Sequence, residues 1–263
     1  RELDAEFAAL YPRTGRPYGL RFPHLEVADL VTVHRRLLAH LGIPRVRAAI
    51  GGSLGGMQAL QWALDHPDDL DDAILVCASA RLSAQNIAFS AVARASIMND
   101  EHFLGGDYYG TGSAPDVGLS VARMLAHITY VSEESLATKF GRRRRNGPGP
   151  TFDVDFEVES YLHHQGAAFL ERFDANSYLF LSRAMDYFDP FGAERPVATK
   201  TRFLVISFDT DWRFPTAQSR AIADRLAWAG VEVEAVEVAS PWGHDSFLLE
   251  VPEYLALVAR RLA

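Results

Sequence analysis

The sequence contains very little cysteine. Cys77 is the only cysteine among 263 residues, so no disulfide can form within the chain. This absence excludes a disulfide-stapled fold, and it favours a reducing compartment. We therefore expect a cytoplasmic location.

Long apolar runs and an excess of positive charge are also absent. No stretch reaches the roughly 18 apolar residues that a membrane-spanning helix requires, and the first residues show no secretory pattern. The 26 basic and 34 acidic residues give a formal charge of −8, which disfavours non-specific binding to nucleic acid. We expect a soluble protein with no membrane and no nucleic-acid partner.

Hydrophobic residues make up 48% of the sequence, and the most apolar runs read as buried strands. These runs are Val46–Ile50, Ala73–Ala78, Thr201–Ser207 and Val231–Val238. Uninterrupted apolar runs are typical of parallel strands that are covered on both faces. Because helical patterns alternate with these runs, the sequence predicts an α/β fold with a mostly parallel, doubly wound sheet.

The segment between the second and third runs has a different character. Strand-like runs disappear over residues 81–190, and helical periodicity dominates. We interpret this segment as a helical cap, or lid, inserted into a core formed by residues 1–80 and 191–263.

A glycine-rich turn follows the first strand, in the stretch RAAIGGSLGGMQ at residues 47–58. Gly51, Ser53 and Gly55 match G-x-S-x-G, the nucleophile elbow, in which a strained turn between strand and helix exposes a serine hydroxyl. The helix N-terminus behind the turn suits a developing oxyanion. The simpler alternative is a glycine-rich turn with an incidental serine.

A serine nucleophile needs a base, and the base needs an orienting carboxylate. In α/β-hydrolases these groups follow the serine in the order acid, then histidine, just after later strands. Asp209 and Asp211 both follow the strand that ends at Ser207, and His244 follows the strand that ends at Val238. The sequence alone leaves both aspartates open, and His244 could instead be an ordinary loop histidine.

From Gly19 onward the chain resembles the homoserine O-acyltransferases of the α/β-hydrolase superfamily. The matching stretches include IGGSLGGMQALQWA, LSAQNIAF, GLSVARMLAHITY, DTDWRFP and GHDSFL. Members of this family move an acyl group from acyl-CoA to the hydroxyl of an amino acid, usually L-homoserine, through an acyl-serine, in methionine biosynthesis. The resemblance implies the α/β-hydrolase fold with a cap, acyl-CoA as co-substrate, no permanently bound cofactor, no metal, and a homodimer formed through the cap helices.

The resemblance also implies roles for individual residues. Ser53 resembles the nucleophile, His244 the base and Asp211 the orienting acid, which leaves Asp209 as a turn residue. The backbone N–H of Leu54 resembles one of the two donors to the oxyanion.

A second group of residues resembles a clamp for the amino-acid substrate. Arg123 and Tyr130 resemble the residues that hold its carboxylate, and they share a helix face because they are seven residues apart. Asp245 resembles the residue that holds its ammonium. From the helical pattern alone, a surface salt bridge for Arg123 and core packing for Tyr130 are the simpler interpretations.

The acyl donor is predicted from two positions beside the triad. Leu54 and Arg213 resemble the branch that uses succinyl-CoA, and an arginine there could meet the free carboxylate that succinate has and acetate lacks. We therefore favour succinyl-CoA over acetyl-CoA. Serine in place of homoserine as acceptor, an esterase that uses water, and a catalytically incomplete fragment remain alternatives.

The region before the elbow departs from the family. Only 52 residues precede Ser53, and none of them forms a convincing strand pattern. The strand ending at Ile50 would then have an open apolar edge, and the loop that supplies the second oxyanion donor is not recognisable. We expect the sequence to be part of a longer polypeptide. The alternative is that a partner chain completes the sheet.

Overall fold

A computed structural model of the chain describes residues 10–145, 149–192 and 196–263. Contacts divide the chain into two compact units. The sheet unit consists of residues 25–83, 130–135 and 184–263. The helical unit consists of the described residues within 1–24, 84–129 and 136–183. The division into a core of 1–80 with 191–263 and a cap of 81–190 stays a prediction.

Strands and helices alternate along the sheet unit, and helices prevail in the other. The strands are β1 (Leu10–Tyr11), β2 (Arg16–Pro17), β3 (Val46–Gly52), β4 (Leu70–Val76), β5 (Arg202–Phe208) and β6 (Val233–Val238). The α-helices are α1 (Val27–His40), α2 (Leu54–Asp65), α3 (Ala84–Met98), α4 (Asp116–Tyr130), α5 (Glu133–Lys139), α6 (Glu157–Leu170), α7 (Ala175–Asp186), α8 (Thr216–Trp228) and α9 (Pro252–Leu262).

The sheet of the sheet unit is parallel, in the order β3-β4-β5-β6. Ile50 lies opposite Ile74, and Ile74 lies opposite Leu204. The predicted parallel sheet is confirmed. Because all four strands run the same way, the residues that follow them meet at one edge of the sheet.

Successive side chains of the central strands pack into two different cores. Leu75 and Val205 belong to a core that includes residues of α2 and α8, whereas Ile74 and Leu204 belong to a second core with Tyr254 of α9. Since neighbouring residues of a strand point to opposite faces, both faces of the sheet are covered. This is the doubly wound arrangement that the apolar runs predict.

The edge at β3 is less covered. Within the described ranges β3 pairs with β4 alone, and the Ile50 side chain is 50% exposed. The sequence predicts a helix over residues 26–42 with an apolar face formed by Leu30, Val33, Leu37, Leu38 and Leu41. On α1 the buried residues are instead Val27 and Val31, while Val33 and Leu37 are 61% and 54% exposed. The predicted burial of Val33 and Leu37 is wrong, because among the described residues α1 packs mainly against α2.

The helical unit has its own core. It is built from α3, α4, α6 and α7 around Ile97, Leu119, Phe169 and Leu179. The predicted change to helical structure after residue 81 is confirmed. Among the described residues, none of the helices combines the length and apolarity needed to span a membrane.

Candidate active site

Ser53 occupies the turn between β3 and α2, in the sheet unit. Its backbone has φ +55° and ψ −121°, a conformation that residues other than glycine rarely adopt. The Ser53 N–H donates to the Val76 carbonyl at 2.9 Å, and the Ser53 carbonyl accepts from the Met57 N–H at 3.1 Å. The turn is therefore held to the end of β4 on one side and to the first turn of α2 on the other. Such strain, fixed by its surroundings, is typical of functional sites.

Two glycines before the serine allow close approach. A Cβ on Gly51 would lie 2.2 Å from the Gly55 carbonyl carbon, so a side chain there would separate β3 from α2. A Cβ on Gly52 would lie 2.5 Å from the Phe247 ring. Nothing lies within 4 Å of a Cβ on Gly55, so the second glycine of the motif is not required for side-chain space of its own. Sequence reasoning missed Gly52, which lets the loop carrying the predicted base pack against the elbow.

Asp211 lies in the loop after β5 and is 2% exposed. One carboxylate oxygen, Oδ1, accepts from the backbone N–H groups of Arg213 at 2.9 Å and Phe214 at 2.8 Å. The other, Oδ2, lies 2.7 Å from Nδ1 of His244. The structure thus brings the predicted acid and base together, and three hydrogen bonds fix the carboxylate.

Asp209 has a different environment, although it follows the same strand. Its Oδ1 accepts from the Ser240 N–H at 2.9 Å, and its own N–H donates to the Val238 carbonyl at 3.2 Å. Asp209 therefore joins the loop after β5 to the end of β6.

His244 lies on a 3₁₀ turn, Gly243–Leu248, and is 3% exposed. Its ring stacks on Phe214 with centroids 4.9 Å apart and contacts the Phe247 ring at 5.4 Å. Aromatic packing and the bond to Asp211 fix the orientation of the imidazole, and they leave Nε2 as the nitrogen that can exchange protons.

No hydrogen bond joins Ser53 to His244, both of which are described residues, in this structure. Catalytic hydrogen bonds are often long in ligand-free proteins and shorten when substrate binds.

A short segment at the end of α4 belongs to the sheet unit and packs on the histidine loop. The Tyr130 ring lies 5.5 Å from the His244 ring, and the Trp212 Nε1–H donates to the Val131 carbonyl at 3.1 Å. A Cβ on Gly243, whose φ is +72°, would lie 2.6 Å from the Ser132 nitrogen. Sequence reasoning missed this contact, because only Gly243 gives a local signal for it.

Comparisons with known proteins agree with this geometry. Residues 12–251 match a family model described as the α/β hydrolase fold. Over 256 residues the chain is 56% identical to a homoserine O-succinyltransferase of Nocardioides sp., covering 95% of the chain and 69% of that relative. The chain belongs to the homoserine O-acyltransferase family. The resemblance found in the sequence is confirmed.

Other relatives and solved structures support the same family and fold. A homoserine O-acetyltransferase of Rhodospirillum rubrum is 51% identical over 251 residues, which cover 92% of the chain and 64% of that protein. The crystal structure of esterase E22 superposes with a TM-score of 0.83 at 23% identity over 97% of the chain and 72% of the esterase, and this likeness shows the fold alone. The chain spans about two thirds of the length of these two acyltransferase relatives.

The remaining site residues predicted from the homoserine O-acyltransferase family have defined positions. Leu54 is the first residue of α2, directly after Ser53, and Asp245 directly follows His244. Arg213 donates its backbone N–H to Asp211. Arg123 lies on α4 in the helical unit, with its guanidinium 4.8 Å from the Phe169 ring centroid. Their roles toward substrates stay predictions.

Arg123 is part of a basic cluster inside the helical unit. Burial first, and then the charges of Arg123, Arg172 and Lys139, together lower the pKa of His127 to about 4. A nearby carboxylate would be attracted by this cluster, and the role predicted for Arg123 stays a prediction.

One buried thiol lies beside the acid and base. Ligand atoms of Cys77, Asp211 and His244 all lie within 4.8 Å of one another. A metal ion held there would need the thiolate, but burial raises the pKa of Cys77 well above its usual value and the nearby Asp211 charge adds to this. The cluster is therefore poorly suited to a metal.

Proposed function

We propose that the chain acts as a homoserine O-acyltransferase, which moves an acyl group from acyl-CoA to the hydroxyl of L-homoserine in methionine biosynthesis. The observation that carries the proposal is the buried Asp211–His244 pair at 2.7 Å, on the same sheet edge as the strained Ser53 elbow. The names of the relatives support the choice of substrates.

The first half-reaction forms an acyl-serine. His244 takes the proton from the Ser53 hydroxyl, and Oγ attacks the thioester carbonyl. The Leu54 N–H donates to the oxyanion, since it lies at the N-terminus of α2. Asp211 stabilises the imidazolium, and CoA leaves as the thiol after taking the proton from His244.

The second half-reaction returns the enzyme to its starting state. The homoserine hydroxyl gives its proton to His244 and attacks the ester carbonyl of the acyl-serine. The ester bond to Ser53 breaks, and the serine oxygen recovers the proton from His244. Homoserine leaves as its O-acyl ester, so no water is consumed.

Selection of an amino acid over water requires groups that bind its two charges. We assign the carboxylate to Arg123 and Tyr130 and the ammonium to Asp245. A guanidinium meets a carboxylate with two parallel hydrogen bonds. The contact between the Tyr130 and His244 rings supports a place for Tyr130 beside the reacting atoms.

We favour succinyl-CoA as the donor. Arg213 is adjacent in sequence to Trp212 and follows Asp211 by two residues, so a cationic side chain is available near the acyl group. The relatives include both a succinyltransferase at 56% identity and an acetyltransferase at 51% identity, so the donor needs a direct assay.

A steady-state assay with both donors and with homoserine and serine as acceptors tests the proposal. We expect CoA release to depend on homoserine and to proceed faster with succinyl-CoA. Ser53→Ala should abolish transfer, whereas Ser113→Ala, at an exposed loop serine, should not change it. Thioester loss that is independent of any amino acid would instead identify a hydrolase.

Two further expectations concern the state of the protein in the cell. We propose a cytoplasmic location and a homodimer formed through helices of residues 81–190. Light scattering coupled to gel filtration tests the dimer, and a monomer at working concentrations would contradict it.

A further inference from the structure

Cys77 follows β4 directly, at the edge of the sheet where the elbow lies. Its N–H donates to the Ile206 carbonyl at 2.8 Å, and the carbonyl of the preceding residue, Val76, accepts the N–H of Ser53. Backbone hydrogen bonds thus connect this position to both the nucleophile and the strand that leads to Asp211.

The backbone of Cys77 is strained. Its φ is +48°, and its side chain is fully buried. A non-glycine residue in this region carries a conformational free-energy cost, and such residues cluster at functional sites. Glycine would avoid the cost, so the position points to a role for the side chain.

The Asp211 carboxylate has room for one more donor. A carboxylate offers about four lone-pair sites. Three are occupied, by the backbone N–H groups of Arg213 and Phe214 and by Nδ1 of His244. The Cys77 sulfur is the thiol within 4.8 Å of both Asp211 and His244.

We propose that Cys77 is a positioning residue for acyl transfer. Its protonated thiol faces the Asp211 carboxylate, so that the negative charge of the carboxylate is divided between the thiol and His244. The inference rests on the proposed roles of Asp211 and His244. It assigns Cys77 neither nucleophilic attack nor contact with substrate.

The protonation state of the thiol agrees with this role. Burial raises the pKa of Cys77 well above its usual value, and the Asp211 charge adds to the effect, so the thiol keeps its proton and can donate it. The titratable groups around the pair are Tyr130 against the His244 ring, Asp245 next in sequence, and Tyr254 of α9, whose pKa is raised by burial and by Cys77.

The variants Cys77→Ala and Cys77→Ser distinguish the role of the thiol as a hydrogen-bond donor from its role in core packing. Without the thiol, the full Asp211 charge acts on His244 and holds the ring proton more tightly. We expect the acidic limb of kcat/KM in Cys77→Ala to move to higher pH by roughly half a unit, as for loss of one weak hydrogen bond. KM for both substrates should stay within about twofold. Cys77→Ser keeps a hydrogen-bond donor, so the acidic limb of its kcat/KM profile should lie at the same pH as in the unmodified chain or at a lower pH.

Ile222→Val is the matched control, since it also removes one buried heavy atom but lies on α8 and in the other core. Its acidic limb should not move, although its thermal midpoint should fall. A role for Cys77 in packing alone would make Cys77→Ala behave in the same way, and this result would overturn the proposal. An upward shift in Cys77→Ser would also overturn it, even if Cys77→Ala fails to fold.

A second readout separates this inference from the proposed function. The NMR signals of the His244 ring, followed against pH, report the same shift without turnover. They therefore test Cys77 even if the chain transfers no acyl group.

Discussion

His127 is a buried histidine of the helical unit, and it should make the folded chain sensitive to mild acid. The side chain is 6% exposed, and Nδ1 lies 3.3 Å from the Tyr161 hydroxyl. Burial, reinforced by Arg123, Arg172 and Lys139, lowers the pKa of His127 from 6.5 to about 4. The folded chain therefore keeps this ring neutral at pH values where the unfolded chain protonates it.

The sign and size of the effect follow from this difference. Between pH 6.5 and about 4 the unfolded state binds one more proton than the folded state, so stability falls as the pH falls. The stability that the folded chain has with a neutral His127 is fully present above pH 6.5, and about 2 kcal/mol of it is lost at pH 5. The total loss below the folded pKa is about 3 kcal/mol, which is a large part of the stability of a typical domain.

Urea unfolding at a series of pH values between 7 and 4.5 measures the effect. His127→Gln removes the titration and keeps a polar side chain, so its free energy of unfolding should fall by about 2 kcal/mol less than that of the unmodified chain between pH 7 and pH 5. His164→Gln changes an exposed histidine of α6 and is the matched control. Parallel curves for His127→Gln and the unmodified chain would refute the reasoning.

Three other substitutions test the site. Arg123→Ala should raise the KM for homoserine at least tenfold, as for loss of about 1.5 kcal/mol or more of a charged hydrogen bond, and an unchanged acceptor KM in steady-state kinetics would contradict its assignment. Arg213→Ala should reduce kcat/KM for succinyl-CoA about tenfold more than for acetyl-CoA, whereas equal losses would remove the reason to favour succinyl-CoA. Gly52→Ala places a Cβ 2.5 Å from the Phe247 ring. It should lower the free energy of unfolding by about 1–3 kcal/mol in thermal or urea unfolding, and it should reduce turnover. Gly55→Ala, with open space around its Cβ, should change neither.

The strands of the sheet could be predicted because burial on both faces leaves uninterrupted apolar runs. The run at residues 73–78 overlaps the end of β4, and that at 201–207 overlaps most of β5. The helical periodicity of α1 was less informative. It shows that the helix is amphipathic but not which apolar residues meet a partner, and Val33 and Leu37 are exposed where burial was expected.

The order of the candidate triad could also be predicted, since parallel strands bring their following loops to one edge. The choice between Asp209 and Asp211 could not be made from spacing, because both follow β5 within a few residues. The structure separates them by their partners: backbone N–H groups and His244 surround Asp211, whereas Asp209 bonds to Ser240.

Contacts between segments that are distant in the sequence could not be predicted. The approach of Phe247 to Gly52 and the packing of Tyr130 on His244 depend on tertiary structure. Cys77 gave no sequence signal either, because its positive φ and its place beside Asp211 appear only in the folded chain.

The most direct test of acyl transfer through Ser53 is intact-protein mass spectrometry after mixing the chain with succinyl-CoA and no acceptor. The full-length Nocardioides relative, run in parallel, serves as a positive control. We predict a succinyl adduct that peptide mapping places on Ser53, that is absent in Ser53→Ala, and that L-homoserine removes with formation of O-succinylhomoserine. An unmodified chain, or an adduct that water removes as fast as homoserine does, would contradict the account.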